Sequence, residues 1–322
     1  MNPSVKDSSP FFSIIVPAYN EAENLPLLYQ EIAAAMAVKN RSFELIFVDD
    51  GSVDETPEAL KIIQNKDPRI KIITFRKNFG KSAAFTYSFQ EACGKYIVTL
   101  DADLQDDPAE IERMFETLEQ KKADLVCGWK KNRQDPLTKI ISSRLFNSTA
   151  SWLTGIQLHD FNCGIKLYSQ AVVKEIPMYG ELHRFVPALA VWKGFVVVEH
   201  PVHHRARRFG KSKFGMNRFW GGIIDLLTVI FMMRYEGKPS HLFSGSGLIL
   251  VAAGFLINLQ LVIVKLMGGT IAPRYPYFIL GVMSLIIGVQ LICFGLISEM
   301  IVYSLKSKNP APNFSILKRS AS

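Results

Sequence analysis

Cysteine is scarce in this sequence of 322 residues, and its four copies share no spacing. No two of them form a Cys-x-x-Cys pair, so neither a zinc site nor a redox pair is indicated. Their scatter favours reduced, buried thiols over disulfides. A Gly-x-Gly-x-x-Gly fingerprint is also missing after the first predicted strand, which leaves a dinucleotide-binding oxidoreductase with little support.

Charged side chains are missing from two long stretches near the C-terminus. Residues 242–264 and 275–298 contain no Asp, Glu, Lys or Arg, and each exceeds the roughly 20 apolar residues that span a bilayer as a helix. The alternative is a pair of core helices, although these rarely run so long without a charge. Because residues 265–274 are too few to recross a membrane, we expect a transmembrane hairpin.

The charges beside the hairpin predict its orientation. Two basic residues lie in the connection, and six lie on the outer flanks close to the spans. By the positive-inside tendency, both termini and the catalytic domain are expected in the cytoplasm, in a bacterial inner or plasma membrane. The first apolar run, residues 11–16, is too short for a signal peptide and ends at Pro17.

A basic run precedes the membrane segment. The net charge is +8, and six Lys or Arg but no acidic residue lie between His200 and Arg218. Its position favours anionic lipid headgroups and phosphate-bearing ligands, so a nucleic-acid partner is not expected. Residues 219–233 are largely apolar, interrupted by Asp225, and too short to span. They favour a helix in the membrane interface, with packing on the catalytic domain as the alternative.

The first 130 residues alternate short apolar runs with longer amphipathic ones, the pattern of a doubly wound α/β domain with a mostly parallel sheet. The last predicted helix begins at Pro108, with Asp106 and Asp107 available to cap it. Strands are predicted at 12–17, 44–49, 70–75, 96–101 and 123–129, and helices at 23–38, 55–64, 82–92 and 108–119.

Polar clusters follow four of these strands. Ligands of such sheets bind outside the carboxyl ends of the strands, so the clusters are expected to face one crevice. They lie at residues 17–21, 49–52, 76–81 and 101–105.

Asp101 and Asp103 are expected to bind a divalent cation. Alternate positions on an extended chain send both carboxylates the same way, which suits Mg²⁺ or Mn²⁺. Such an ion bridges a diphosphate and stabilises a departing nucleoside diphosphate. An Asp-x-Asp pair alone is a weak signal, because it is more often a turn or a cap. The pair Asp49-Asp50, which supplies a carboxylate acceptor for a base or ribose, and the cations Arg76 and Lys81, which suit phosphates, complete a nucleotide site.

Five segments of this chain resemble family 2 glycosyltransferases with the GT-A fold, over residues 12 to about 215. The whole chain is similar to the polyisoprenyl-phosphate branch, which includes dolichyl-phosphate mannose synthases and bacterial undecaprenyl-phosphate glucosyltransferases. The resemblance implies inverting, metal-dependent transfer of a monosaccharide from a UDP- or GDP-sugar to a polyisoprenyl phosphate, undecaprenyl or dolichyl. The segments are SIIVPAYNE at 13–21, VDDGS at 48–52, RKNFGK at 76–81, DADLQD at 101–106 and GKSKF at 210–214.

The same resemblance implies the roles of the site residues. Asp50 helps to hold the base, and Asp101, Asp103 and Gln105 surround the metal and the diphosphate. The other residues expected in the nucleotide-sugar pocket are Pro17, Tyr19, Glu21, Arg76, Lys81 and Ala102. The cations expected at donor or acceptor phosphates are Lys130, Arg133, Arg144, Arg184, Arg205, Arg208 and Lys213.

The roles of Lys130 and Asp160 are less specific than those of the other expected residues. Many relatives have Arg where Lys130 stands, and Lys lacks the fork that grips two phosphate oxygens. Asp160 is a second candidate catalytic residue, in addition to Asp103, and would act as a base near the acceptor. The alternative role for Asp160 is to orient nearby cations. A base is not required, because a phosphate monoester is largely dianionic at neutral pH.

Two other functions use the same catalytic or nucleotide-binding fold. A processive polysaccharide synthase would need a Gln-x-x-Arg-Trp motif and more spans, and a non-catalytic subunit would have degraded metal ligands. Neither function fits this sequence. The sequence does not specify the sugar, the nucleotide base or the isoprenoid length, and it is compatible with a homo-oligomer. The expected organisation is a flexible N-terminus (1–10), the GT-A domain (11–215), an interfacial helix region (216–241), the hairpin (242–305) and a cytoplasmic tail (306–322).

Overall fold

The computed structural model describes residues 9–131, 143, 147–152, 154–176, 182–206, 217–235 and 238–308, with no side-chain description for 217–223 and 305–308. The chain divides into two compact units between Ile230 and Phe231. The first unit is an α/β domain and the second is a pair of long helices.

A seven-stranded sheet forms the centre of the first unit. Its strands are β1 (Phe12–Ala18), β2 (Phe43–Asp49), β3 (Ile70–Thr74), β4 (Tyr96–Thr99), β5 (Leu125–Trp129), β6 (Lys166–Ser169) and β7 (Val197–Pro201). They lie in the order β3-β2-β1-β4-β6-β5-β7. β6 runs antiparallel to β4 and β5, and the other neighbours are parallel. The five predicted strands are all present, each within two residues of its predicted ends.

Helices lie between the strands, and their apolar side chains complete the core. The central strands are buried along almost their whole length, which is why they appear in the sequence as unbroken apolar runs. The helices of the first unit are α1 (Leu25–Val38), α2 (Thr56–Gln64), α3 (Lys81–Glu91), α4 (Glu110–Lys121), α5 (Gln170–Glu175) and α6 (Val186–Trp192). Helix α7 (Asn217–Tyr235) crosses the division between the units.

The register of the strands brings their carboxyl ends to one edge. Ala18 at the end of β1 pairs with Asp49 at the end of β2, and Asp49 pairs with Thr74 at the end of β3. After β4, the N–H of Leu100 donates to the carbonyl of Ile15 at 3.0 Å, so the chain stays beside β1 up to Asp101. The polar segments that follow these four strands therefore open on the same edge, as predicted.

Asp106 is not a helix cap, contrary to the expectation. Helix α4 begins two residues later than predicted, and its N-cap Ala109 has no side-chain capping bond. Asp107 does support the turn before the helix, because its Oδ1 accepts the N–H of Ala109 at 3.0 Å. Asp106 is buried instead, where its carboxylate pairs with Lys130.

The second unit contains two helices that are long and apolar enough to cross a membrane, α8 (Pro239–Leu266) and α9 (Tyr275–Lys308). In the most apolar stretch of each, 17% of the residues are buried, so most of that surface needs an apolar surrounding. A short 3₁₀ turn, Ala272–Arg274, precedes α9. The predicted hairpin spans lie inside these two helices.

Glycines bring the two helices of the hairpin together. A Cβ atom added at Gly288 would lie 2.7 Å from the carbonyl oxygen of Gly247, and one added at Gly254 would lie 2.6 Å from that of Gly281. Such positions allow close backbone approach between membrane helices. Glu299 on α9 accepts the N–H of Ser240 at 3.3 Å, in the first turn of α8. The bond places a negative charge at the positive end of the α8 dipole.

Candidate active site

The loop after β4, residues 101–107, is here named the acidic loop. Its side chains alternate in burial: Ala102, Leu104 and Asp106 are buried, whereas the three expected metal residues are partly exposed. Leu104 has a positive φ of 60° and anchors the turn in the core. The N–H of Gln105 donates to Asp103 Oδ1 at 3.2 Å. Burial therefore alternates along the loop, and Asp101, Asp103 and Gln105 are partly exposed.

Three cations from separate parts of the fold neutralise three carboxylates of the acidic loop. Lys81, the first residue of α3, donates to Asp101 Oδ1. Lys130, directly after β5, lies 3.0 Å from Asp106 Oδ1. Arg205, beyond β7, lies 2.5 Å from Asp107 Oδ2. Ion pairs of limited exposure are screened less than surface pairs, so these contacts position the loop.

The surroundings of Asp101 favour its charged form. Burial would raise the pKa of this carboxyl group, but the ammonium groups of Lys81 and Lys130 outweigh burial and lower the pKa to about 2. Burial would lower the pKa of Lys130, but the nearby Asp106 carboxylate outweighs burial and raises the pKa of Lys130 above its ordinary value. Both groups are therefore ionised near neutral pH.

Gly164 leaves the space that the carboxylates occupy. A Cβ atom at this position would lie 2.5 Å from Asp101 Oδ2 and 2.6 Å from Asp106 Oδ2. The two carboxylate oxygens therefore converge over a residue without a side chain, at the turn before β6. Any larger residue would push Asp101 out of its position.

The donor set of the acidic loop fits Mg²⁺ or Mn²⁺. Two carboxylates and one amide oxygen are hard ligands, and Mg²⁺ is commonly bound by one or two carboxylates together with substrate phosphates. Within the described residues, no group of three His, Cys, Asp or Glu could hold a metal ion by itself. A site built on Asp101, Asp103 and Gln105 would therefore need the diphosphate to complete its coordination.

Asp50 fixes the segment that leads into α3. Its two carboxylate oxygens accept the N–H groups of Phe79 at 2.7 Å and Gly80 at 2.9 Å. Burial raises the pKa of Asp50, and these two hydrogen bonds oppose that rise. Gly51 has a φ of +72°, and a Cβ atom there would lie 2.4 Å from the carbonyl carbon of Lys77. The segments after β2 and β3 are thus packed closely against each other.

The segment after β1 is joined to the segment after β2 by hydrogen bonds. The N–H of Asn20 donates to Ser52 Oγ, and the N–H of Val53 donates to Asn20 Oδ1, both at 2.9 Å. The N–H of Glu21 donates to Thr56 Oγ1 at 2.9 Å. The expected pocket residues on these segments are partly exposed at the same edge: Pro17, Tyr19 and Glu21. Arg76, on the segment after β3, is exposed.

The 3₁₀ turn Leu182–Arg184 packs its polar side chains into the protein rather than toward solvent. His183 Nδ1 lies 2.7 Å from the hydroxyl of Ser82 in the first turn of α3, and the N–H of His183 donates to the same oxygen at 3.3 Å. Burial, together with Lys81 and Arg184, lowers the pKa of His183 well below its ordinary value. The contact between His183 and Ser82 was not predicted from the sequence, because the two residues lie 101 positions apart. Arg184, expected at a phosphate, is buried.

Two of the cations expected at phosphates contact carboxylates of the protein: Lys130 and Arg205. The side chain of Lys130 is 13% exposed and faces Asp106. Arg205 is bound by Glu31 at 2.6 Å as well as by Asp107.

Asp160 is 1% exposed, and its Oδ1 accepts the N–H of Asn162 at 3.1 Å. The two predicted roles of Asp160, as a base or in orienting cations, stay predictions. Four expected phosphate ligands lie outside the described residues: Arg133, Arg144, Arg208 and Lys213.

Comparison with known structures gives the same fold. The crystal structure of glucosyl-3-phosphoglycerate synthase from Mycobacterium tuberculosis in complex with Mn²⁺, uridine-diphosphate and glucosyl-3-phosphoglycerate matches with a TM-score of 0.55 and 14% identity. The match covers 72% of this chain and 85% of that one. At this identity the likeness concerns the fold alone, and it confirms the expected GT-A architecture.

Sequence comparisons reach further along the chain. A dodecaprenyl-phosphate galacturonate synthase from Rhizobium johnstonii is 38% identical over 94% of this chain and 90% of its own length. An undecaprenyl-phosphate 4-deoxy-4-formamido-L-arabinose transferase from Photorhabdus laumondii is 32% identical over 95% and 93%. The family model described as "Glycosyl transferase family 2" matches residues 13–177. On its sheet, its acidic loop and these matches, the chain belongs to glycosyl transferase family 2.

Proposed function

We propose that this protein transfers a monosaccharide from a nucleotide-sugar to a polyisoprenyl phosphate at the cytoplasmic face of a membrane. The observation that carries the proposal is the acidic loop, whose proposed metal ligands Asp101, Asp103 and Gln105 are partly exposed at the carboxyl edge of the sheet. The relatives that match almost the whole chain are named for transfer to dodecaprenyl and undecaprenyl phosphate. The two apolar helices supply the membrane anchor that such an acceptor requires.

The donor is held by the segments after β1, β2 and β3. Asp50 shapes this pocket by fixing the N–H groups that precede α3, while Pro17, Tyr19 and Glu21 line it. Lys81 at the start of α3 and the exposed Arg76 provide positive charge for the diphosphate. A divalent cation held by Asp101, Asp103 and Gln105 would supply charge to stabilise the departing nucleoside diphosphate.

The acceptor approaches with its own nucleophile. A lipid monophosphate is largely dianionic at neutral pH, so its oxygen can attack the anomeric carbon without a protein base. The enzyme contributes positioning and charge neutralisation. The basic residues between Arg205 and Arg218 are suited to draw the phosphate headgroup from the membrane surface toward the crevice.

The experiment that tests this function is a transfer assay on the full chain in detergent. Radiolabelled UDP- and GDP-sugars are supplied with undecaprenyl phosphate and Mn²⁺, and the lipid fraction is counted. Asp103→Asn should reduce transfer on the order of a hundredfold, because metal stabilisation of the leaving group is worth several kcal/mol. Glu58→Gln, on the exposed face of α2, is the matched control. Near-normal transfer by Asp103→Asn, or no labelled lipid with any donor, would refute the proposal.

A further inference from the structure

Two kinds of cation can pair with the Asp101 carboxylate. One is a divalent cation, which the acidic loop fits, and the other is the Lys81 ammonium, which already donates to Asp101 Oδ1. Both side chains retain solvent access, at 27% for Lys81 and 29% for Asp101. Access of this kind permits exchange, because an ion can reach the carboxylate without unfolding the site.

Lys81 is the most exchangeable cation near Asp101 among the described residues. Three ammonium groups lower the pKa of this carboxyl group, those of Lys81, Lys130 and Lys166. Lys130 is held by Asp106 at 3.0 Å. Lys166 is buried and donates to the carbonyl oxygen of Cys163 at 2.5 Å. Lys81 has Asp101 as its carboxylate partner and lies nearer to the solvent.

The backbone around Lys81 is held on both sides. Asp50 binds the N–H groups of Phe79 and Gly80, and the next residue, Ser82, is bound by His183. A change of partner therefore requires rotation of the lysine side chain alone. Its flexible four-carbon stem makes such a rotation inexpensive.

We propose that Lys81 is an exchangeable counter-ion, which holds Asp101 until a divalent cation binds there and is then released toward the diphosphate of the donor. The inference rests on the proposed function for the identity of that diphosphate. Repulsion between the ammonium group and the metal ion weakens metal binding as long as Lys81 remains at Asp101. Anything that attracts Lys81 away therefore strengthens metal binding, and by linkage the metal strengthens binding of the diphosphate.

The test is a Mn²⁺ titration of the full chain in detergent without nucleotide, in which electron paramagnetic resonance measures the free ion. Lys81→Met removes the competing charge and keeps much of the side-chain volume. We expect it to bind Mn²⁺ more tightly than the unaltered protein, on the order of tenfold, within the range typical of coupled sites. Lys81→Arg keeps the charge and should stay close to the unaltered protein. Asp101→Asn should lose this site, which identifies the signal.

Several outcomes would overturn the inference. Unchanged or weaker Mn²⁺ binding by a folded Lys81→Met protein would do so, and so would equal tightening in Lys81→Arg. Folding is checked by thermal unfolding, and Lys81→Gln replaces Lys81→Met if the latter does not fold. The titration needs neither sugar donor nor lipid acceptor, so its failure leaves the proposed transferase function untouched. If the Mn²⁺ titrations give the expected results but the unaltered protein produces no labelled lipid, only the proposed transferase function is contradicted.

Discussion

Replacing Asp106 by Asn is expected to destabilise the catalytic unit more than any replacement of an exposed carboxylate. The side chain of Asp106 is fully buried, and that of its partner Lys130 is 13% exposed, with 3.0 Å between Nζ and Oδ1. Asn keeps the shape of Asp but removes the charge. The Lys130 ammonium would then stay buried without the carboxylate that raises its pKa.

The magnitude follows from this geometry. Breaking a buried ion pair by removing one partner costs about 3–5 kcal/mol, because the charge that remains in the interior loses its nearest opposite charge. For a domain of this size, each kcal/mol lowers the melting temperature by roughly 2–4 °C. The Asp106→Asn protein should therefore melt about 6–20 °C below the unaltered protein.

The assay is thermal unfolding of the full chain in detergent, followed by intrinsic fluorescence. Glu116→Gln, at an exposed position of α4, is the matched control and should shift the melting temperature little. Adding Lys130→Met to Asp106→Asn removes the stranded charge, so the double variant should regain part of the lost stability. An Asp106→Asn protein that melts within about 2 °C of the unaltered one would refute the reasoning, as would a double variant less stable than the single one.

Three further predictions address other parts of the chain. The pKa of His183 is lower in the folded state than its unfolded value of about 6.5, so the unfolded state binds more protons below that pH. The free energy of unfolding should therefore fall as the pH drops below about 6.5, by up to about 1.4 kcal/mol per pH unit. In urea unfolding, His183→Asn should lack this contribution, and an identical pH dependence would contradict the assignment. Gly288→Leu should separate α8 from α9 and lower the melting temperature in detergent. Gly245→Leu is the control and should leave the melting temperature unchanged, because no atom lies within 4 Å of a Cβ added there. Equal effects of the two variants would show that close packing is not the cause. Reporter fusions at residue 270 should report the outside of the membrane and fusions at the C-terminus the inside, and any other pattern excludes the predicted hairpin topology.

The part of the fold that depends on periodicity could be predicted from the sequence. β1 and β2 are buried on both faces, so their sequences are continuous apolar runs, and the helices between them have amphipathic patterns. β6 was not predicted. It has four residues, begins with Lys166, and pairs antiparallel to β4 and β5, a partnership that depends on contacts distant in sequence.

The candidate site divides in the same way. Alternation of burial in the acidic loop is a local property that the sequence can predict, and Asp101 and Asp103 are both partly exposed there. The partners of the cations are not local: Lys130 and Arg205 looked like phosphate ligands, but each faces a carboxylate of the loop that no sequence spacing reveals. The contact between His183 and Ser82 joins residues 101 positions apart.

The three ion pairs of the acidic loop bear on how this enzyme can be engineered. A designer who exchanges residues 101–107 for the corresponding segment of another transferase would transplant the carboxylates and leave their cations behind. Lys81, Lys130 and Arg205 come from three distant stretches of the chain, so a chimera that moves the segment alone combines mismatched charges in its interior. The smallest portable module is therefore discontinuous, comprising the segment, its three cations and the glycine at position 164 that makes room for it.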